Sequence, residues 1–196
     1  MSSRSSLTSQ AATSGFVLLW GSAAIFSRIG LDNASPLALL IVRFAVALSA
    51  LLLVGLFRRR WLPDAGTSKT VLLSGLVLIG AYSLCYFQAM AEGVTPGLIA
   101  TIMGIQPILT LCIVERRMQG VRLVGLLLAL AGLVLLVWRS LAASQPPSSG
   151  VLFALAALLC MTFGAIMQKK VSQHPAQVLP LQSAASLVLC VLVLPM

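Results

Sequence analysis

Trp20-Gly21-Ser22-Ala23-Ala24-Ile25-Phe26-Ser27-Arg28-Ile29-Gly30-Leu31-Asp32-Asn33-Ala34-Ser35-Pro36, then an apolar run to Leu53 whose one charge is Arg43, decides how this chain is built. The first part closes one apolar helix. Residues 31–35 make a short loop, and Pro36 opens a second helix, a position where the missing N–H of proline costs nothing. Each run is long enough to cross a bilayer, which takes about 17–25 mainly apolar residues. Arg43 then lies seven residues into the second helix, roughly 10 Å deep at 1.5 Å per residue. A charge at that depth is expensive and is usually there for a reason.

Composition says the same of the whole chain. Of its 196 residues 59% are hydrophobic and 9% are charged, against about 25% charged in a soluble domain. The mean hydropathy is +1.04. This predicts an all-α polytopic membrane protein. Open β-structure would leave backbone groups unpaired in lipid, and the runs are too long and too uniformly apolar for a closed barrel. A net charge of +9 raises nucleic acid as a partner, but most of the Lys and Arg residues sit at the ends of apolar runs. There they set topology and meet anionic headgroups. Membrane lipids, and no nucleic acid, are the expected surroundings.

Seven runs qualify as spans: residues 11–29, 36–57, 70–90, 96–114, 121–138, 150–168 and 176–196. Residues 1–10 read as a disordered cytoplasmic tail. Ser144-Gln145-Pro146-Pro147-Ser148-Ser149 is the best internal boundary. With the N-terminus cytoplasmic, the inner ends hold ten of the Lys and Arg residues, among them Arg58, Arg59, Arg60, Arg116, Arg117, Lys169 and Lys170, and the outer ends only two, Arg28 and Arg139. The positive-inside bias therefore places the N-terminus inside, in a multi-pass inner (plasma) membrane protein.

A weak internal repeat accompanies this. Helix one ends in Phe26-Ser27-Arg28, and a short loop and Pro36 lead into helix two. Helix six ends in Met167-Gln168-Lys169-Lys170, and a short loop with Pro175 leads into helix seven. Five helices precede the second copy, so it enters in the opposite orientation. Inverted repeats with a site at their interface are a transporter signature.

Candidate cavity residues follow from polar and aromatic side chains inside the spans. Arg43 reads as an anchor for a substrate carboxylate, as a bond to a neighbouring helix, or as a side chain that snorkels to the surface. Pro107 cannot pair with the carbonyl one turn earlier, near Met103. Such a carbonyl must be buried in protein or face a wet cavity, which Gln106 beside it could line; glutamine is also plain interhelical glue. Tyr82 and Tyr86, four apart, share a helix face. Together they could wall a site for an apolar or aromatic metabolite, or simply pack; Trp20 likewise lies inside a helix rather than at the headgroup belt. Gln88 lies near the outer end of helix three. The pairs Gly93/Gly97, Gly97/Gly104 and Gly125/Gly132 permit close helix approach. Glu115, before Arg116-Arg117, reads as an interfacial clamp.

Other chemistry is excluded. Cys85, Cys112, Cys160 and Cys190 lie in apolar runs without a CxxC pair, and His174 stands alone, so no metal site is expected. No Asp or Glu falls within a span core. There is no P-loop, no HExxH and no serine–histidine–acid set. Neither enzyme activity nor a cofactor is expected.

Several of these pieces together resemble the EamA-type transporters of the drug/metabolite transporter superfamily. They are Trp20-Gly21-Ser22, Ser35-Pro36, Arg43-Phe44, the turn from Ala89 to Gly97, Gln106-Pro107, and Glu115-Arg116-Arg117 ahead of the Gly125/Gly132 helix. The resemblance implies a helical bundle of two inverted five-helix repeats. The first is complete here (residues 11–143) and, after a linker (144–149), the second is incomplete (150–196). Arg43 and Pro107 match the arginine and proline of the family's second and fourth helices. The family pattern has ten helices, and this chain stops at Met196, so the resemblance is to a member truncated after helix seven. The implied activity is alternating-access movement, outward, of amino acids or related amphipathic solutes. The alternatives are a truncated protein that does not transport, and a proton-coupled multidrug exporter, against which stands the lack of an acid in helix one. A homodimer stays open.

Overall fold

The computed structural model describes residues 2–58, 63, 66–114 and 120–194. Seven helices, α1–α7, follow in chain order: Ser2–Leu31, Pro36–Arg58, Ser68–Ala91, Pro96–Val114, Gly120–Ser144, Ser148–Gln168 and Pro175–Val193. Six of them are long and apolar enough to cross a membrane; in α5 the apolar part is the shorter Val124–Arg139. Helix α1 runs back to Ser2, through the residues read as a tail. The expected clamp at Glu115 lies outside the described residues.

The helix starts are written in the sequence. Thr95 precedes Pro96, and its hydroxyl accepts a bond from the Leu98 N–H at 3.3 Å. His174 precedes Pro175, and its Nδ1 accepts from the Ala176 N–H at 3.2 Å. Ser35 precedes Pro36, and its hydroxyl accepts from the Ala38 N–H at 3.3 Å. Each cap satisfies an orphan donor of the first turn. The end of α3 is equally local. Gly93 has φ +92, the Gly93 N–H bonds the Met90 carbonyl at 3.1 Å, and the Val94 N–H bonds the Ala89 carbonyl at 3.1 Å. This is the paired closure of a left-handed glycine cap.

The helix α3 is the axis of the bundle. Its outer-numbered half packs with α4 and α6 through Ala89, Met90, Leu98, Ile99, Ile102, Ala154 and Leu158. Phe87, with Leu40 and Phe44 of α2 and Cys190 of α7, forms a second cluster. Residues Leu76–Ala81 wind as a π-helical turn, and there α3 meets α6 and α7 most closely. A Cβ on Gly164 would lie 2.7 Å from Leu78 Cα, and one on Gly75 would lie 2.6 Å from Gln182 Cβ. These glycines let the backbones touch, which matters in lipid because helix association there depends on close packing and hydrogen bonds. The expected glycine pairs are corrected. A Cβ at Gly93, Gly97, Gly125 or Gly132 would meet no atom within 4 Å, and of that set only Gly104 faces a neighbour, Leu133 at 3.1 Å.

At the margin, no residue of α1 between Ala12 and Leu31 is buried. Its tie is at its end, where Arg28 Nη1 donates to the Met90 carbonyl at 3.1 Å.

Candidate functional site

The two halves of α4 meet at a break. Pro96–Met103 and Gln106–Val114 are helical, and Gly104-Ile105 form a turn between them. Pro107 has no N–H for Met103, so the regular ladder fails there. Beside the break opens a cavity of about 400 Å³. From α4 it is lined by Gln106, Pro107, Thr110, Leu111 and Val114, and from the end of α6 by Ala165, Ile166 and Lys169. Thr110 Oγ1 donates to the Gln106 carbonyl at 2.9 Å, and Gln106 Nε2 reaches Thr110 Oγ1 at 3.5 Å. Among the described residues, the polar side chains of Gln106 and Thr110 and the exposed Lys169 thus border a mostly apolar wall.

The other sequence candidates lie elsewhere. Arg43 holds its guanidinium carbon 5.9 Å from the centroid of the Phe87 ring, while its own residue is exposed. Tyr82 and Tyr86 pack ring to ring at 5.7 Å, and Tyr86 lies 6.0 Å from Phe87. Arg43 and the two tyrosines thus share one aromatic strip, on α2 and α3, apart from the α4–α6 cavity. Trp20 is 57% exposed and stacks on Phe16 of its own helix at 5.6 Å. Gln88 Nε2 donates to Glu92 Oε1 at 3.3 Å, and Glu92 Oε2 accepts from Ser149 Oγ at 2.9 Å. Gln88 therefore supports a carboxylate bridge between the ends of α3 and α6.

Sequence reasoning missed Thr110 and Lys169, although Thr110 lies one turn after Gln106 and so on the same face. It also missed Gln182. Only 1% of Gln182 is exposed, and its Nε2 is within 3.0 Å of Ser74 Oγ, 3.3 Å of the Val71 carbonyl and 2.6 Å of Gln168 Oε1. One amide therefore ties α7 to both α3 and α6. A signal for it was present: Gln182 stands seven residues after Pro175, as Arg43 stands seven after Pro36.

Residues 11–138 match the model of the EamA-like transporter family. The chain belongs to that family. Its EamA relatives include a protein of Salmonella typhimurium named a probable amino-acid metabolite efflux pump, 30% identical over 81% of this chain and 52% of the relative. The uncharacterized inner membrane transporter YedA of Escherichia coli is 27% identical over 79% of this chain and 51% of its own length. An uncharacterized transporter of Archaeoglobus fulgidus is 32% identical over 62% of this chain and 43% of its own length. The chain spans about half the length of the curated relatives it matches. No solved structure matches it. With its six candidate spans it is a multi-pass membrane protein of the EamA-like transporter family.

Proposed function

We propose that this EamA protein exports small amphipathic metabolites, amino acids or related solutes, across the inner membrane by alternating access. The observation that carries the reading is the cavity at the α4 break, lined by Gln106 and Thr110 of one helix, Lys169 at the end of another, and apolar side chains of both. The relative named a probable amino-acid metabolite efflux pump supports the solute class and the direction. The inverted-repeat reading of the α1–α2 and α6–α7 hairpins supports the mechanism, because repeats of opposite orientation supply the two alternating faces.

The test is counterflow in proteoliposomes. Purified protein, loaded with an unlabelled amino-acid panel, is expected to accumulate labelled members of that panel. Liposomes that never exceed the protein-free rate for any panel member would overturn the reading. Arg43→Ala is expected to lower the thermal transition of the purified protein through the lost contact with Phe87, and Arg43→Lys to restore part of it, since lysine keeps the charge over Phe87 without the planar fork.

The proposal also fixes an orientation, with the N-terminus cytoplasmic. A cysteine introduced at Asn33, in a background without native cysteines, is expected to react with an impermeant thiol reagent added to intact cells, and one at Ser172 to react only after lysis. The opposite pattern would invert the topology.

A further inference from the structure

We infer that the α4–α6 cavity takes an elongated zwitterion of dipeptide length with an apolar body, and that Lys169 selects it by holding its carboxylate. The inference rests on the transport reading above and names the solute more narrowly. Charge comes first. Among the described residues that line the cavity, Lys169 is the one charged residue and none is an acid. Lys169 is exposed and lines the cavity, so its ammonium is open to an anionic group on the ligand.

The layout of the polar groups supplies a length. The helices α4 and α6 run in the same direction: at one end a Cβ on Gly150 would touch Val94 at 2.7 Å, and further along Leu158 packs with Ile102. Lys169 therefore lies toward the Val114 end, and Gln106 toward the other. Gln106 and Val114 are eight residues apart, about 12 Å at 1.5 Å per residue. The Thr110 hydroxyl is committed to the Gln106 backbone, and the Gln106 amide nitrogen points at Thr110. The Gln106 side-chain oxygen is left as an acceptor, suited to an ammonium or N–H donor. A free α-amino acid holds its two charged groups too close together to meet both ends. A dipeptide separates its charged ends further, and Leu111 and Ile166 of the lining offer an apolar surface for its body. Volume agrees. About 400 Å³ is the volume of about thirteen waters at roughly 30 Å³ each, room enough for a small dipeptide.

The experiment is binding by calorimetry to the full chain in nanodiscs, with Ala-Leu, its C-terminal amide and free leucine as probes. The wild type is expected to bind Ala-Leu about tenfold tighter than the amide or leucine, the scale of one charge-assisted contact. Lys169→Met is expected to erase the preference for the acid over the amide, and Lys169→Arg to keep it. Lys170→Met is a control for loss of a cation at the end of α6, and is expected to leave the preference intact. Equal binding of acid and amide, no binding of Ala-Leu, or a preference that survives in Lys169→Met would each overturn the inference. Counterflow of single amino acids without Ala-Leu binding would overturn it and leave the transport reading standing. Preferential Ala-Leu binding without movement of any solute would support it while removing transport.

Discussion

Gly164→Ala will loosen the bundle, although alanine is the better helix former. The added Cβ would sit 2.7 Å from Leu78 Cα and 2.9 Å from its backbone nitrogen. Those are main-chain atoms of the π-helical turn Leu76–Ala81, so no rotamer change relieves the clash and α6 must move off α3. Overpacking of this kind costs about 1–3 kcal/mol. The helix-propensity gain from glycine to alanine is at most about 1 kcal/mol in the other direction. A fall of up to about 8 °C in the thermal transition of the detergent-solubilised protein is expected, for a net cost of up to about 2 kcal/mol at roughly 2–4 °C per kcal/mol for a chain of this size. Gly132→Ala supplies the contrast, because nothing lies within 4 Å of its added Cβ. It should match or exceed the wild type. If both variants melt together, the close α3–α6 contact is wrong.

The second large effect is expected at Gln182. Interhelical hydrogen bonds in membranes average about 0.6 kcal/mol and reach about 1.7. Gln182 reaches three acceptors on two helices, and its Cβ and Cγ fill the space above Gly75. Gln182→Ala removes the bonds and opens a void, a loss of about 2–4 kcal/mol when the cavity cost is added. Gln182→Leu keeps most of the volume and should lose about half as much, which separates packing from polarity. Gln88→Ala, which gives up a single 3.3 Å bond to Glu92, should cost least. Thermal unfolding followed by size-exclusion recovery orders the three variants. An alanine variant at position 182 as stable as the wild type would show that the node does not hold α7 in place.

The sequence was legible where one segment suffices to set the structure. Apolar runs with Pro36, Pro96 and Pro175 at their starts located helices, because span length and first-turn chemistry are properties of a single segment. Gln106-Pro107 announced the break in α4, because a missing N–H is local too. What stayed hidden depends on which helix faces which. Glycine spacing singled out Gly93 and Gly97, but Gly93 serves a left-handed cap, and the close contacts fall at Gly75 and Gly164. Spacing shows where a backbone could approach; only the packing of α3 against α6 and α7 shows where it does. Hydropathy likewise could not say that Trp20 stands on an exposed face of α1, or that Lys169, read as a topology signal, also lines the cavity. Gln182 looked like any polar residue in an apolar run until α3 was placed against it.

The most direct measurement on the central claim, that solute passes through the α4–α6 cavity, uses Thr110→Cys in a chain whose four native cysteines are replaced by serine or alanine. The counterflow of this variant is followed before and after reaction with a bulky thiol reagent. If the cavity is the route, modification at position 110 stops counterflow, and saturating solute slows the modification. Counterflow at the full rate in completely modified protein would contradict the account and move the pathway elsewhere, with the Arg43, Tyr82 and Tyr86 strip the next place to block.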